Sequence, residues 1–196
     1  MGIHLQSRGA RPTKGIICSN HLSYLDILAY AAIAPCIFVS RGDVQRWPVF
    51  GWCARWSGTI FIDRQSRAST EQVARWMGEA LAAGVAILLF PEGTSTDGRS
   101  VLRFHPSLLQ PAIDHAIEIT AAAIAWRVLG GEEKDVCWYG DASFAPHLLR
   151  TMGRAGVECE VEFHPGRDVY RERKAAALDQ HDKVEAMRVR TKRGIR

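Results

Sequence analysis

No apolar run in this chain is long enough to cross a bilayer, which takes about 18–20 residues. The longest, Ile27 to Val39, is interrupted by Pro35 and reads as a helix followed by a strand. Paired cysteines are also missing. The five cysteines are odd in number and scattered, which argues against both a disulfide framework and a zinc site and suits a reducing compartment. No Gly-x-Ser-x-Gly elbow is present, so a serine hydrolase of that kind lacks its nucleophile turn. The first residues do not read as a secretory leader, so none is expected, and Gln6 stands where an N-myristoylation site needs Ser or Thr. Repeats, low-complexity tracts and linkers are absent.

Net charge is small but uneven. The chain has 25 Lys and Arg against 21 Asp and Glu, a formal charge of +4. Residues 167–196 hold ten of the basic residues and five of the acidic ones, so the rest is close to neutral. A basic C-terminal segment fits either an anionic partner, such as lipid headgroups or nucleic acid, or a solvated helix.

With 196 residues, 47% hydrophobic and 23% charged, the chain is long enough for one domain with its own core. Apolar runs alternate with helical patterns, which predicts an α/β fold: a single domain with a central, mostly parallel sheet flanked by helices. Candidate strands are Gly15–Cys18, Cys36–Ser40, Thr59–Ile62, Val85–Phe90, Ile119–Trp126 and Val157–Phe163. The first helix is expected over Ser23–Ala34. In the second, Ser69 and Gln72 form a capping box, Gly84 closes the end, and Val73, Trp76, Met77 and Leu81 face the sheet. Further helices are expected over Pro106–Ile117 and Pro146–Met152, and a charged one from near Asp168 that frays into the basic tail. Residues 1–166 then form the main body, and 167–196 a basic C-terminal helix and tail of the same domain.

The most informative segment is Asn20-His21-Leu22-Ser23-Tyr24-Leu25-Asp26. His21 and Asp26 lie five positions apart, between a strand end and a new helix. Asp26 can fold back from the first helical turn and accept a hydrogen bond from one ring nitrogen of His21. The other nitrogen is then fixed as an acceptor for a substrate proton. Asn20 and Ser23 are expected to hold this turn locally, with Ser23 as the helix cap. Cys18 is close enough for a Cys–His nucleophile to be weighed, but it falls inside a predicted strand.

Two more segments accompany the first: Gly58-Thr59-Ile60-Phe61-Ile62-Asp63-Arg64 and Phe90-Pro91-Glu92-Gly93-Thr94-Ser95. In this order the three resemble the blocks of the lysophospholipid acyltransferases, the PlsC-like 1-acyl-glycerol-3-phosphate acyltransferase family. NHLSYLD resembles the first block with its His-x4-Asp pair. The stretch from Phe38-Val39-Ser40-Arg41 to Arg64 resembles the second, and FPEGTS the third. The resemblance spans roughly residues 15–165.

The resemblance implies His21 and Asp26 as the catalytic pair. It implies Arg41 and Arg64 as grips for an anionic acceptor, where a guanidinium can form two parallel hydrogen bonds. Glu92, Gly93 and Thr94 fall in the implied acceptor pocket, where Glu92 would bond an acceptor hydroxyl or position an arginine. The implied reaction is O-acylation of a lysophospholipid hydroxyl, foremost 1-acyl-glycerol-3-phosphate giving phosphatidic acid, with lyso-ornithine lipid as the alternative acceptor. The donor is acyl-CoA or acyl-carrier protein. No cofactor, metal or nucleic acid is implied, and the expected place is peripheral, on the cytoplasmic face of a membrane.

Three departures stand out. Ala121 replaces a proline usual in the fourth block, which predicts altered pocket packing rather than lost chemistry. His105 stands where many relatives carry Lys or Arg, which is expected either to weaken headgroup binding or to make it pH-dependent at about pH 6.5. Family members often carry an apolar segment before the first block, and here only a short polar stretch precedes it. The chain is therefore expected either to bind membranes peripherally or to have lost N-terminal sequence. A catalytically silent lipid-binding relative stays open as a non-enzyme reading. Trp47, Phe50, Trp52 and Trp56, beside Arg46 and Arg55, suit a membrane interface or a packed core equally. His4, His115, His147, His164 and His181 have no motif context.

Overall fold

Aliphatic runs bounded by glycine, proline or polar turns become the strands of a sheet that is covered on both faces. The structure, a computed structural model, describes residues 2–41, 60–62 and 67–194. The strands are β1 (Gly2–Arg8), β2 (Ile16–Ser19), β3 (Cys36–Arg41), β4 (Ile60–Ile62), β5 (Ala86–Leu89), β6 (Ile119–Val128) and β7 (Gly156–Phe163). Their order across the sheet is β1-β7-β6-β2-β5-β3-β4. The pairs β6·β2, β2·β5, β5·β3 and β3·β4 are parallel; β7 runs antiparallel to β6, and β1 pairs parallel to β7. The fold is α/β with a mostly parallel sheet, as the alternating pattern predicts. β2 and β5 are buried at every position, which is why they read as unbroken apolar runs.

Helices α1 (Leu25–Ile33) and α4 (Phe144–Met152) cover one face. There Leu25, Ala29, Tyr30 and Ile33 pack with Ile124, Trp126 and Val161. Helices α2 (Arg67–Ala82), α3 (Gln110–Asp114) and α5 (Arg173–Gly194) cover the other. Met77, Leu81, Ala112, Ala176, Val184 and Met187 pack there against Ile16, Ile87 and Ile119. Among the described residues, no helix is long and apolar enough to cross a membrane.

The structure corrects several expectations. β1 went unread because it is an edge strand with mostly exposed side chains, so it carries little apolar signal. Only its register with β7, from Gly2 opposite Gly156 to Arg8 opposite Glu162, makes it a strand. Ser69 lies inside α2, which already starts at Arg67, so it does not cap the helix. Trp76 is 45% exposed rather than facing the sheet, whereas Met77 and Leu81 are buried; the side chain of Val73 lies outside the described residues. The far end of α2 closes as expected. Gly84 adopts φ +75°, its N–H donates to Leu81 and that of Val85 to Ala80, the paired bonds of a Schellman stop.

The charged C-terminal helix begins at Arg173, not near Asp168. Asp168 forms an antiparallel bridge with Ile119 instead, with N–H···O distances of 2.8 and 3.0 Å. The helix does not fray across its described length. One face of it belongs to the core, and Arg188, 4% exposed, donates to Glu133 at 2.5 Å. Lys183, Arg190 and Lys192 are ion-paired with Asp168, Glu162 and Glu133.

Burying a side chain such as Val184 or Met187 is worth about 1.5–3 kcal/mol. Breaking a buried ion pair on one side costs about 3–5 kcal/mol. Together these are comparable to a whole domain's stability of about 5–15 kcal/mol. Deleting residues 167–196 is therefore expected to abolish cooperative unfolding, not to trim a tail. A retained sigmoidal thermal transition, followed by circular dichroism, would contradict this.

Candidate active site

The site lies where the parallel strands end. His21 follows β2, Glu92 follows β5, and Arg41 is the last residue of β3, in register opposite Ile62 at the end of β4. Loops at the carboxyl ends of neighbouring parallel strands are where α/β sheets build ligand sites. Arg64, and the cluster of Trp47, Phe50, Trp52 and Trp56, lie outside the described residues, as does the side chain of Arg41.

The His21 ring Nδ1 donates to Asp26 Oδ2 at 2.9 Å. Asp26 has no exposed surface. The same oxygen accepts the backbone N–H groups of Leu22 at 2.6 Å and Ser23 at 3.0 Å, and Oδ1 accepts the indole N–H of Trp126 at 2.8 Å. The carboxylate thus ties the loop to its own helix and to β6. With Nδ1 committed as a donor, Nε2 is the acceptor nitrogen, and among the described residues it has no hydrogen-bond partner. The ring is 19% exposed and stacks on Phe90, with centroids 4.1 Å apart and planes 15° apart. Phe90 fixes the ring plane and leaves an edge open.

The loop is pinned from outside as well. The His21 carbonyl accepts the Thr96 N–H at 3.0 Å, and the Leu22 carbonyl accepts the Trp138 N–H at 2.8 Å. Asn20, expected to act locally, instead reaches across the sheet. β2 stops pairing with β6 at Ser19–Ala122, and β6 runs on alone along that edge. Asn20 pairs the exposed edge at Ile124, accepting its N–H at 2.9 Å and donating to its carbonyl at 3.0 Å. Ser23 does not cap α1: the N-cap is Tyr24, and among the described residues the buried Ser23 Oγ has no hydrogen-bond partner. Asp26, accepting the Leu22 and Ser23 N–H groups, holds the turn that precedes the helix.

Glu92 is 3% exposed, and both its oxygens are occupied. Oε1 accepts the backbone N–H of His21 at 2.7 Å and Oε2 that of Leu102 at 2.7 Å. It braces the His21 loop rather than reaching outward. Burial pushes its carboxyl up to about 7, against the opposing pull of those two N–H groups. Gly93, at φ +76°, donates to the Phe90 carbonyl at 3.0 Å and closes the turn. Thr94 is exposed beside it. His105 is exposed too, and its N–H donates to the Pro91 carbonyl at 2.9 Å.

The Cys18 thiol is fully buried in β2, and burial raises its pKa well above the ordinary thiol range, so it is no nucleophile. Ala121 is buried mid-strand opposite Cys18, and its carbonyl accepts the His164 N–H at 2.9 Å. Among the described residues, no group of three His, Cys, Asp or Glu is placed to hold a metal ion. Trp126 and Glu133 were missed by sequence reasoning. A lone tryptophan closing an alanine-rich strand was the one local signal for the first.

The acyltransferase family's sequence profile matches residues 3–125, and the chain belongs to that family. It is 36% identical over 178 residues to a lyso-ornithine lipid O-acyltransferase of Rhodobacter capsulatus, covering 86% of this chain and 63% of that protein. It is 31% identical over 152 residues to a 1-acyl-sn-glycerol-3-phosphate acyltransferase of Neisseria gonorrhoeae, covering 78% and 60% respectively. The chain thus spans less than two thirds of either relative's length. The crystal structure of the 1-acyl-sn-glycerophosphate acyltransferase PlsC from Thermotoga maritima superposes with a TM-score of 0.66 at 16% identity, over 97% of this chain and 72% of that one. That likeness concerns the fold.

The Glu92 carboxyl yields a pH prediction. Its folded pKa, about 7, lies above the ordinary 4.5, so the folded state binds more protons between those values. The Glu92 contribution to stability therefore falls as pH rises from 4.5 to 7 and levels off above. Chemical denaturation at several pH values should show the wild type losing stability relative to Glu92→Gln across this range. Parallel profiles for the two proteins would contradict it.

Proposed function

We propose that this chain catalyses O-acylation of a lysolipid hydroxyl by an acyl thioester. His21 Nε2 takes the hydroxyl proton as the oxygen attacks the thioester carbonyl. The tetrahedral intermediate then expels the thiolate, which recovers the proton from the imidazolium. Holding two substrates against one base supplies much of the rate advantage, and the base about 10²–10⁴. One observation carries the reading: the 2.9 Å bond from His21 Nδ1 to the buried Asp26, which leaves Nε2 as an open acceptor at the mouth of the sheet.

Lyso-ornithine lipid is the acceptor we favour. The longer and closer of the two similarities is to an enzyme of that name. His105, in place of a permanent cation, also suits a headgroup less anionic than a phosphate. The second reading is 1-acyl-glycerol-3-phosphate, supported by the Ile-Phe-Ile-Asp-Arg64 segment and by the Neisseria relative. The donor is acyl-CoA or acyl-carrier protein, and the chain works on a membrane surface, at its cytoplasmic face. Among the described residues of 167–194, Arg167, Lys183, Arg188, Arg190 and Lys192 are engaged in ion pairs, which reduces what that segment offers an anionic surface.

Thiol release from each donor in mixed micelles, with either lysolipid as acceptor, tests the proposal. Release is expected to depend on acceptor, to be faster with lyso-ornithine lipid, and to fall at least 100-fold in His21→Ala. That variant should fold, because the ring is partly exposed. Acceptor-dependent release that survives His21→Ala would exclude His21 as the base, and faster release with lysophosphatidic acid would reverse the acceptor assignment.

A further inference from the structure

We infer that Trp126 is a positioning residue for acyl transfer, acting through Asp26 on His21, and that Glu133 sets its place. The inference rests on the proposed role of His21. Asp26 Oδ2 is occupied by His21 Nδ1 and two backbone N–H groups. Oδ1 faces the fully buried side and meets the Trp126 indole N–H at 2.8 Å. Without that donor a buried carboxylate oxygen is left unpaired in a low-dielectric setting. The carboxylate then pulls harder on the His21 proton, favours the imidazolium, and loses the contact that fixes its rotamer.

The indole is itself held. Trp126 lies beyond the end of β2, where β6 has no strand partner on that side among the described residues. Its backbone N–H donates to Glu133 Oε1 at 2.9 Å. Glu133 Oε2 is clamped by Arg188 at 2.5 Å and Lys192 at 3.3 Å, both from α5. The same two cations also donate to the carbonyl of Gly98, in the loop that follows Glu92. Gly98 permits this approach: at φ +75°, a Cβ there would lie 2.8 Å from Arg188 Nη2 and 3.2 Å from Leu22 Cδ2. The chain of contacts therefore runs from the C-terminal helix through Glu133 and Trp126 to the carboxylate that orients the base.

The test uses the full chain with two substitutions at Trp126. Trp126→Phe removes the N–H and part of the ring. Trp126→β-(3-benzothienyl)alanine keeps the bicyclic shape and removes only the N–H, so it remains informative if the phenylalanine variant fails to fold. The first readout is the NMR titration of the His21 imidazole, which does not depend on turnover. The second is kcat and KM for thiol release. Loss of the N–H is expected to raise the His21 pKa, to displace the acidic limb of the rate profile to higher pH, and to lower kcat about 10- to 100-fold with KM within twofold. An unchanged His21 titration in the benzothienyl variant overturns the inference, whatever the melting temperature does. A shifted titration with unchanged kcat overturns it too. If the wild type releases no thiol with any substrate, the proposed function fails, while the titration still decides whether Trp126 governs His21.

Discussion

Four hydrogen-bond donors converge on Asp26, a carboxylate with no exposed surface. An ionised carboxylate in that position is strongly disfavoured unless its lone pairs are met, and meeting them dictates the local structure. Two of the donors are backbone N–H groups from the turn before α1, so the turn has one conformation. A third is the imidazole, so its tautomer and orientation follow. The fourth comes from a strand 100 residues away, so loop and sheet must be assembled together. The imidazole is therefore held in one tautomer and one orientation by the protein's own groups.

The sheet supplies the room for this arrangement by an inequality of strand length. β2 has four residues and its neighbour β6 has ten, so β6 continues past the point where β2 turns into the His21 loop. A bare edge at that point would leave buried backbone groups unpaired. Asn20 and Glu133 serve as the missing strand, one pairing Ile124 and the other Trp126. Polar side chains that look like turn residues in the sequence thus complete a ladder, and the loop between them is anchored on both flanks. Glu92 braces it from β5 by the same device, a buried carboxylate accepting backbone N–H groups.

The fold was legible wherever a segment is buried on both faces. Ile16–Ser19, Ala86–Leu89 and Ile119–Val128 carry strong apolar signals, and each sits within a residue or two of its expected bounds. Where an element is half exposed the signal weakens. β1 was invisible, and Trp76 turned outward from a helix whose Met77 and Leu81 are buried as expected. The local geometry of the candidate site was partly legible too. The His21–Asp26 contact follows from five-residue spacing across a turn, and the Gly93 turn from the Pro-Glu-Gly tripeptide. The partners of Glu92 were not legible, because nothing in the Phe-Pro-Glu-Gly pattern marks the His21 and Leu102 N–H groups as its donors.

The amino-acid sequence by itself determined the class of fold, the family and the imidazole–carboxylate pair, because all three are written in short-range patterns: strand hydrophobicity, turn residues and a fixed spacing. Only the tertiary structure decided what holds that pair. The bond from Trp126 to Asp26, the Asn20 bridge to Ile124 and the Arg188–Glu133 clamp each join residues 55 to 104 positions apart. No local periodicity encodes such contacts. They exist because strand order and register bring β6 beside β2, and because α5 packs its basic residues inward against a carboxylate instead of leaving them in water.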